Sequence, residues 1–589
     1  MKMTMRLVAL TIVGLLSTSI SYAQQSSATH GVQADRRLPE ETYAYFSFPS
    51  VTEMKKRVAA SHSWKIWSDE NIADFRAEVE KAMGGQFEDF ASELQENFGV
   101  TPQELMNIPS GQMTLAVSEA DGELGLIMFV DFGKSERVVN GLLAKAAAAM
   151  EDEGIDQTTE SYEGTEINVF ELPGQENNDF ARSLQYCIRD TEFVLATNME
   201  LLKTAIDNWD GSDSETFNAN ESWAYVKERC ASGNKHGMMN WFVDPVGLFD
   251  SVAALGNNPQ LAMASGFLPT LGLDKLDGMG GVIDVSVGKY DTVMKTVYLC
   301  EDPSGVLKVM TLKDDKDLTP PKWVPADAAM YSSMNWNVQG AFDAIEQLVD
   351  DFAGPGAVAG QLDEIASQDP GIHIKDDIID QITGKITIMS AADGGGAIPS
   401  ADEIAAGGPA ALLQGKMAVS LGCKDPEAMK KLMTRMTDMP GFGGEVREFR
   451  DTTMVEIPSP QGGNKMGMAV VGNNFMFSTD VTMLEQVARG SADSSLVEVA
   501  SYKRIAAEFP SKAMSLGYTD AKQQYKSMYE GFRKGDPAEM FPGMGEMIEE
   551  IDFTKLPKFE QIAKYFLPAG SFTVGDERGA FSQSFTLKP

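Results

Sequence analysis

Leu38-Pro39-Glu40-Glu41-Thr42-Tyr43-Ala44-Tyr45-Phe46-Ser47-Phe48 and Val324-Pro325-Ala326-Asp327-Ala328-Ala329-Met330-Tyr331-Ser332-Ser333-Met334 read as one passage written twice. Each starts at a proline, passes an acidic turn and runs into a strand that feeds a helix. In the first, Ala44, Phe46 and Phe48 alternate with Tyr43, Tyr45 and Ser47, the two-residue period of a strand. Pro49 stops it, and Ser50 is placed to cap a helix over 51–60.

The replay extends to the end of the chain. Tyr45 and Tyr331 stand 286 residues apart. Phe193-Val194-Leu195-Ala196-Thr197 and the helix behind it return 282 residues on, as Phe475-Met476-Phe477-Ser478-Thr479 and 481–489. Ser222 and Val226 match Ser501 and Ile505 at a shift of 279, and Lys275-Leu276 matches Lys555-Leu556 at 280. The order of elements is kept while the shift drifts by a few residues, as loop insertions and deletions produce. The pattern predicts two tandem copies of one fold, over 38–318 and 324–589. Between them runs the charged stretch 313–322 with Pro320-Pro321.

Within the first copy, strands are expected at 42–48, 112–118, 124–132, 166–170, 184–188, 193–197, 237–243, 280–287 and 294–300, with one more through 306–312. Asp121-Gly122 between two apolar runs is a hairpin signal. Helices are expected at 51–60, 71–83, 87–97, 199–207 and 222–229, with Gly84-Gly85 separating the second from the third. Ser135 is placed to cap a further helix running to Met150. Strands in antiparallel-looking pairs with helices between them indicate an α+β fold: in each copy, an antiparallel sheet with helices packed on one face. A doubly wound parallel sheet demands a regular strand–helix alternation that is missing. The stretches 354–371 and 391–409, rich in Gly, Ala and Pro, are expected to be surface loops.

A chain of 589 residues, 43% hydrophobic and 23% charged, is globular material for more than one core. Lys2 and Arg6, the apolar run 7–20 and Ser21-Tyr22-Ala23 have the form of a signal peptide, 1–23, cleaved near Ala23. That implies a periplasmic or extracellular protein with a flexible lead-in over 24–37. No later run approaches the length of about eighteen apolar residues that a membrane helix needs, so no transmembrane segment is expected in the mature chain. Net charge is −37, and −39 without Lys2 and Arg6, which disfavours nucleic acid and anionic lipid as partners. A protein or small-molecule partner stays open, as does the oligomeric state. Export permits disulfides among Cys187, Cys230, Cys300 and Cys423, in any of three pairings, but no C-x-x-C is present.

The chain contains no H-E-x-x-H, G-x-S-x-G or complete phosphate loop. Gly133-Lys134-Ser135 lacks the upstream glycine, whose place Met128 takes. His30, His62, His236 and His373 are scattered. Asp207, Asp210 and Asp213 surround Gly211, and Asp376, Asp377 and Asp380 lie together, but Trp209 falls where a calcium loop needs an oxygen. Met429, Leu432, Met433 and Met436 share one helical face, suited to core filling or to lining an apolar pocket. No residue is nominated as catalytic, cofactor-binding or metal-ligating, and no cofactor is expected. Positions matched between the copies are apolar, aromatic, proline or cap residues. Cys187 faces Ala469 and Cys230 faces Phe509.

The pattern L-P-x-x-T-x-x-Y at Leu38 to Tyr45, with the strand–helix unit around Phe193 to Asn198, resembles a family of exported bacterial proteins described only as a domain of unknown function. The resemblance implies export and supplies no site residues. The expectation is an exported, non-catalytic binding or envelope-associated protein. The alternatives are a secreted hydrolase with a carboxylate-based site and a carrier of an apolar ligand. Two carboxyls of raised pKa in a polar pocket would mark the first alternative, and a closed apolar cavity the second. A flat exposed apolar patch would mark partner binding.

Overall fold

The computed structural model describes residues 31–172, 182–231, 237–255, 259–314, 317–391, 416–439, 441–459, 465–490, 494–534 and 551–589. The expected signal peptide and most of the expected loop 391–409 lie outside the described residues. The chain divides into two compact units. One takes the residues up to 266 with 276–299, and the other takes 267–275 with the residues from 300 onward.

The first unit has ten strands: β1 Thr42–Phe48, β2 Met113–Ala120, β3 Glu123–Asp131, β4 Gln157–Tyr162, β5 Thr165–Glu171, β6 Ser183–Arg189, β7 Glu192–Ala196, β8 Met239–Val243, β9 Gly278–Val285 and β10 Tyr290–Leu299. Within the unit they run in the order β10-β9-β8-β1-β2-β3-β7-β6-β5-β4, every neighbouring pair antiparallel. The second unit has β11 Ala328–Asn335, β12 Ile382–Ala391, β13 Met417–Cys423, β14 Glu445–Phe449, β15 Thr452–Ile457, β16 Met466–Val471, β17 Asn474–Ser478, β18 Ser515–Thr519, β19 Ala569–Asp576 and β20 Gly579–Leu587. Its order is β20-β19-β18-β11-β12-β13-β17-β16-β15-β14, again antiparallel throughout. Adding ten to each strand number turns one order into the other. The protein is α+β, with the same antiparallel sheet built twice.

The helices repeat as well. In the first unit α1 Val51–Ala60, α2 Glu136–Asp152, α3 Met199–Asp207, α4 Glu221–Cys230 and α5 Pro245–Leu255 follow β1, β3, β7, α3 and β8. In the second, α6 Val338–Ala353, α7 Pro426–Met436, α8 Val481–Ala488, α9 Ala500–Ala506 and α10 Ala521–Lys534 follow the matching elements.

The repeated passage sits at the centre of each core. Tyr45 packs with Phe217, Trp223 and Phe242, ring centroids 5.1–6.2 Å apart. The matching positions hold Tyr331, Leu496, Tyr502 and Tyr518, all buried. Polar details recur too. The Phe217 amide donates to the Leu38 carbonyl and the Leu496 amide to the Val324 carbonyl, both at 3.0 Å. The hydroxyls of Ser47 and Thr114 pair at 2.7 Å, and those of Ser333 and Thr387 at 3.2 Å. Asn198 and Asp480 cap α3 and α8. Such satisfied polar pairs within an apolar core are costly to break, which is a physical reason for both copies to keep them.

Local signals translate closely. β1 and α1 fall on the expected residues, and Ser50 accepts the Glu53 amide at 3.2 Å. Asp121 and Gly122 both have positive φ, 53° and 78°, as a type I′ hairpin requires. Several expectations are corrected. Gly84-Gly85 does not break the helix, which runs Ala73–Phe98 without a stop, because amphipathic spacing continues across the pair. Ser135 does not cap α2: its hydroxyl donates to the Asn107 carbonyl. The expected strand through 306–312 is a helix, Gly305–Val309, held to the second unit by the Trp336 Nε1 bond to the Val309 carbonyl at 2.7 Å. Residues 300–318 thus belong with the second unit. The expected loop 354–371 contains a helix, Ala357–Ser367.

The lead-in 24–37 is structured where it is described. Ala34–Arg36 forms a 3-10 turn, and Asp35 and Arg37 are buried. Asp35 accepts the Trp223 indole at 3.0 Å and Lys227 at 2.9 Å. Arg37 pairs with Glu192 and lies 4.1 Å over the Trp209 ring.

Candidate functional site

In a sheet, residues directly opposite on neighbouring strands share a face. One face of the first unit carries Tyr45, Ile127, Phe129 and Val194, with Trp223 and Leu201 of α4 and α3 over it, all buried. The opposite face can be read rung by rung. One rung is Met294, Ile283 and Met239 across β10, β9 and β8. The next runs Thr296, Gly281, Trp241, Phe46 and Leu115 into β1 and β2. The third runs Tyr298, Met279, Val243, Ala44 and Val117.

Toward β3 and β7 this face is covered. Val139, Leu142 and Leu143 of α2 pack on Met113, Met128, Val130 and Phe193. Toward β10 it stays open: Phe46, Met294 and Tyr298 are 37%, 38% and 43% exposed. The indole Nε1 of Trp241 is buried and finds no acceptor among the described residues.

One end of the face is acidic. Asp244, directly after β8, accepts the Val246 and Gly247 amides at 3.1 and 2.8 Å. Burial pushes its carboxyl up from the usual range, and the charges of Asp277 and Asp250 push it further. Tyr43 and Ser251 both donate to Glu119 Oε2 at 3.0 Å. Burial, with Glu119 and Glu41 close by, raises the Tyr43 phenol.

The second unit carries a different surface at the same positions. The rungs read Ser582, Thr573, Ser515; then Ser584, Ser571, Gly517, Ser332; then Thr586, Ala569, Thr519, Met330. Hydroxyls and small side chains stand where the first copy has Met, Ile, Trp and Tyr. The inward partners keep their character, Val297 matching the buried Phe585. The signal was present in the sequence: Met294-Lys295-Thr296-Val297-Tyr298 against Ser582-Gln583-Ser584-Phe585-Thr586. Seeing it required strand pairing, which fixes the outward positions.

The other singled-out residues have structural roles where they are described. The His62 and His373 amides donate to Asp291 and Asp377. Asp207 accepts the Tyr162 hydroxyl, Asp210 and Asp213 close turns at Ser212 and Glu215, and Asp377 pairs with Arg435. Among the described residues no group of His, Cys, Asp or Glu is placed to hold a metal. Met429, Leu432 and Met433 are buried, packed toward Phe475 and Val455 rather than around a cavity. All four cysteines are free thiols, and burial pushes Cys187 up to about 12.

Among the described residues, the carboxyls held above the usual range are Glu192 and Asp244. Both are engaged, and β1, β2 and β3 lie between their strands. They do not form the acid–base pair of a hydrolase. For Glu192, burial outweighs the opposing pull of Arg37. Removing one partner of a buried ion pair costs about 3–5 kcal/mol, whereas replacing both by apolar groups is often neutral. Arg37→Met is therefore expected to destabilise the first unit by about that much, with Arg37→Met/Glu192→Leu recovering most of the loss in urea unfolding.

The fold and this face define a class: a tandem α+β duplicate whose copies share a core and differ on one sheet surface. No family model matches the chain, and no curated protein matches it. Among solved structures it is similar to crystal forms I and III of TP0453, with TM-scores of 0.21 and 0.20 at 10% and 9% identity. The alignments cover 46% of this chain and 79% and 81% of those chains. Scores this low carry no argument about fold or function.

Proposed function

We propose that the protein is an exported, non-catalytic binding protein, and that it binds through the open sheet face of its first copy. One observation carries this reading. Two copies of one sheet keep the same core, yet one shows Met, Ile, Trp and Tyr where the other shows Ser, Thr, Gly and Ala. Packing alone gives no reason for solvent-facing rungs to be apolar in one copy and hydroxyl-rich in its twin. An exposed apolar patch with a polar rim is the usual form of a partner site.

The partner we infer is a polypeptide segment with apolar side chains flanked by Lys or Arg. The acidic end of the face, with Asp244, Asp250 and Asp277, and the net charge of −37 favour a basic rim on the occupant. The same charge repels anionic lipid. The basic start of the chain, its apolar run and Ser21-Tyr22-Ala23 support export. Among the described residues no helix is long and apolar enough to cross a membrane.

The test uses two synthetic amphipathic peptides of equal length, one built from Lys and Leu and one from Glu and Leu, titrated by fluorescence anisotropy. The basic peptide is expected to bind, and more weakly as salt rises. Met294→Glu/Tyr298→Glu should lower its affinity about tenfold or more, while Ser582→Glu/Thr586→Glu leaves it unchanged. Equal binding of both peptides, no binding of either, or equal loss in both variants would overturn the reading.

A further inference from the structure

The second unit contains a cleft of ≈ 260 Å³ between α9, the turn at Phe509 to Ala513, and the chain at Leu318 and Thr319. Its walls are mainly Leu318, Tyr502, Ala506, Phe509 and Leu516, and no lining residue is charged. The walls are fixed from behind. Tyr331 donates to the Leu318 carbonyl at 2.8 Å. Phe509 meets Phe585 edge-on at 6.4 Å, and Tyr502 meets Tyr518 at 5.4 Å.

Tyr502 is only 4% exposed, yet its hydroxyl makes no hydrogen bond among the described residues, and burial alone pushes it up to about 12. The hydroxyl itself is not sealed from water, so it can donate to a ligand. The side chain lines the cleft. Thr319 donates its hydroxyl to Asp317 at 2.9 Å, so it offers the cleft only an acceptor.

The first copy shows what the cleft has lost. There the matching residues are Trp223 for Tyr502, Lys227 for Ala506 and Asp35 for Pro321. They lock together: the Trp223 indole and the Lys227 ammonium both donate to Asp35 Oδ2, at 3.0 and 2.9 Å. In the second copy Ala506 and Pro321 cannot make such a lock, and Tyr502 lines the cleft.

We infer that this cleft binds a small neutral ring compound bearing a hydroxyl, whose oxygen accepts from Tyr502 and whose hydrogen is donated to Thr319. Size and polarity set the class. An apolar cavity of about 150 Å³ takes benzene, so ≈ 260 Å³ admits a ring and a short substituent. A charged ligand would lose its hydration with no countercharge to replace it. The inference rests on the second copy alone and stands apart from the sheet face of the first.

The test is calorimetric titration of the whole protein with benzyl alcohol, benzoate and benzylamine. Benzyl alcohol is expected to bind with a dissociation constant of about a millimolar or below, and the two charged analogues not to bind. Tyr502→Phe should weaken benzyl alcohol about tenfold, and Ala506→Leu, which fills the space, should abolish it. No binding of benzyl alcohol, equal binding of the charged analogues, or full binding by Tyr502→Phe overturns the inference. If Ala506→Leu does not melt cooperatively, Tyr502→Phe decides alone, since it keeps the ring that packs on Tyr518.

Discussion

Replacing Trp223 by alanine is expected to cost the first unit about 5 kcal/mol and to leave the second unit unchanged. Trp223 is 2% exposed and stacks on Phe217 at 5.4 Å, with Tyr45 and Phe242 closing the nest. Truncating a buried aromatic to alanine costs about 3–5 kcal/mol, because the cavity only partly collapses. Asp35, itself 7% exposed, also loses the indole donor, and an under-satisfied buried carboxylate adds about 1–3 kcal/mol. These terms overlap, so their sum is an upper bound. Against a typical domain stability of about 5–15 kcal/mol, the loss is a large share. Urea unfolding followed by circular dichroism should show an early transition for the variant. A shift below about 1 kcal/mol would mean that the nest does not organise the core.

The second expected result is alkaline failure of the second unit before the first. Tyr331, Tyr502 and Tyr518 are 1%, 4% and 2% exposed, and burial raises all three phenols, Tyr502 and Tyr518 to about 12. Burial also raises Tyr529 of the second unit to about 12, whereas in the first unit Tyr45 is the phenol raised most, and Tyr43, Tyr162 and Tyr186 are raised less. A tyrosine whose folded pKa exceeds the unfolded value near 10 stabilises the fold fully below that pH. As pH rises further, the unfolded chain releases a proton that the fold retains, and stability drains away. The four groups of the second unit give a slope of about 5 kcal/mol per pH unit above pH 10. In the first unit, burial holds Lys55 and Lys295 below the usual lysine range. They act oppositely, contributing stability as pH rises toward 10. Between pH 10 and about 12, hydrogen exchange should therefore accelerate in β11 to β20 ahead of β1 to β10. Simultaneous loss of both units would contradict the burial of the second unit's phenols.

The duplication was legible because it is written in core residues. Tyr45 and Tyr331, the strand before α3 and its twin before α8, and the Ser222 and Ser501 helices all carry apolar spacing that packing demands twice. Elements with weak local signals were not legible. β4 is a polar, almost fully exposed edge strand, Gln157–Tyr162, with nothing apolar to alternate. α5 is apolar nearly throughout and shows little helical period. The buried turn at Ala34 reads as polar because Asp35 and Arg37 are charged, and their partners Trp223 and Glu192 lie more than 150 residues away. The open face was invisible for a related reason. Phe46, Trp241, Met279 and Tyr298 look like ordinary strand residues until register sets them side by side.

The account depends most on one claim, that the first copy's sheet face is a binding surface and its counterpart in the second copy is not. Hydrogen–deuterium exchange with and without the Lys/Leu peptide tests it directly. The account predicts slowed exchange in 239–243, 278–285 and 290–299, and no change in 515–519, 569–576 and 579–587. Protection appearing equally in both sets of strands, or only in the second, would contradict it.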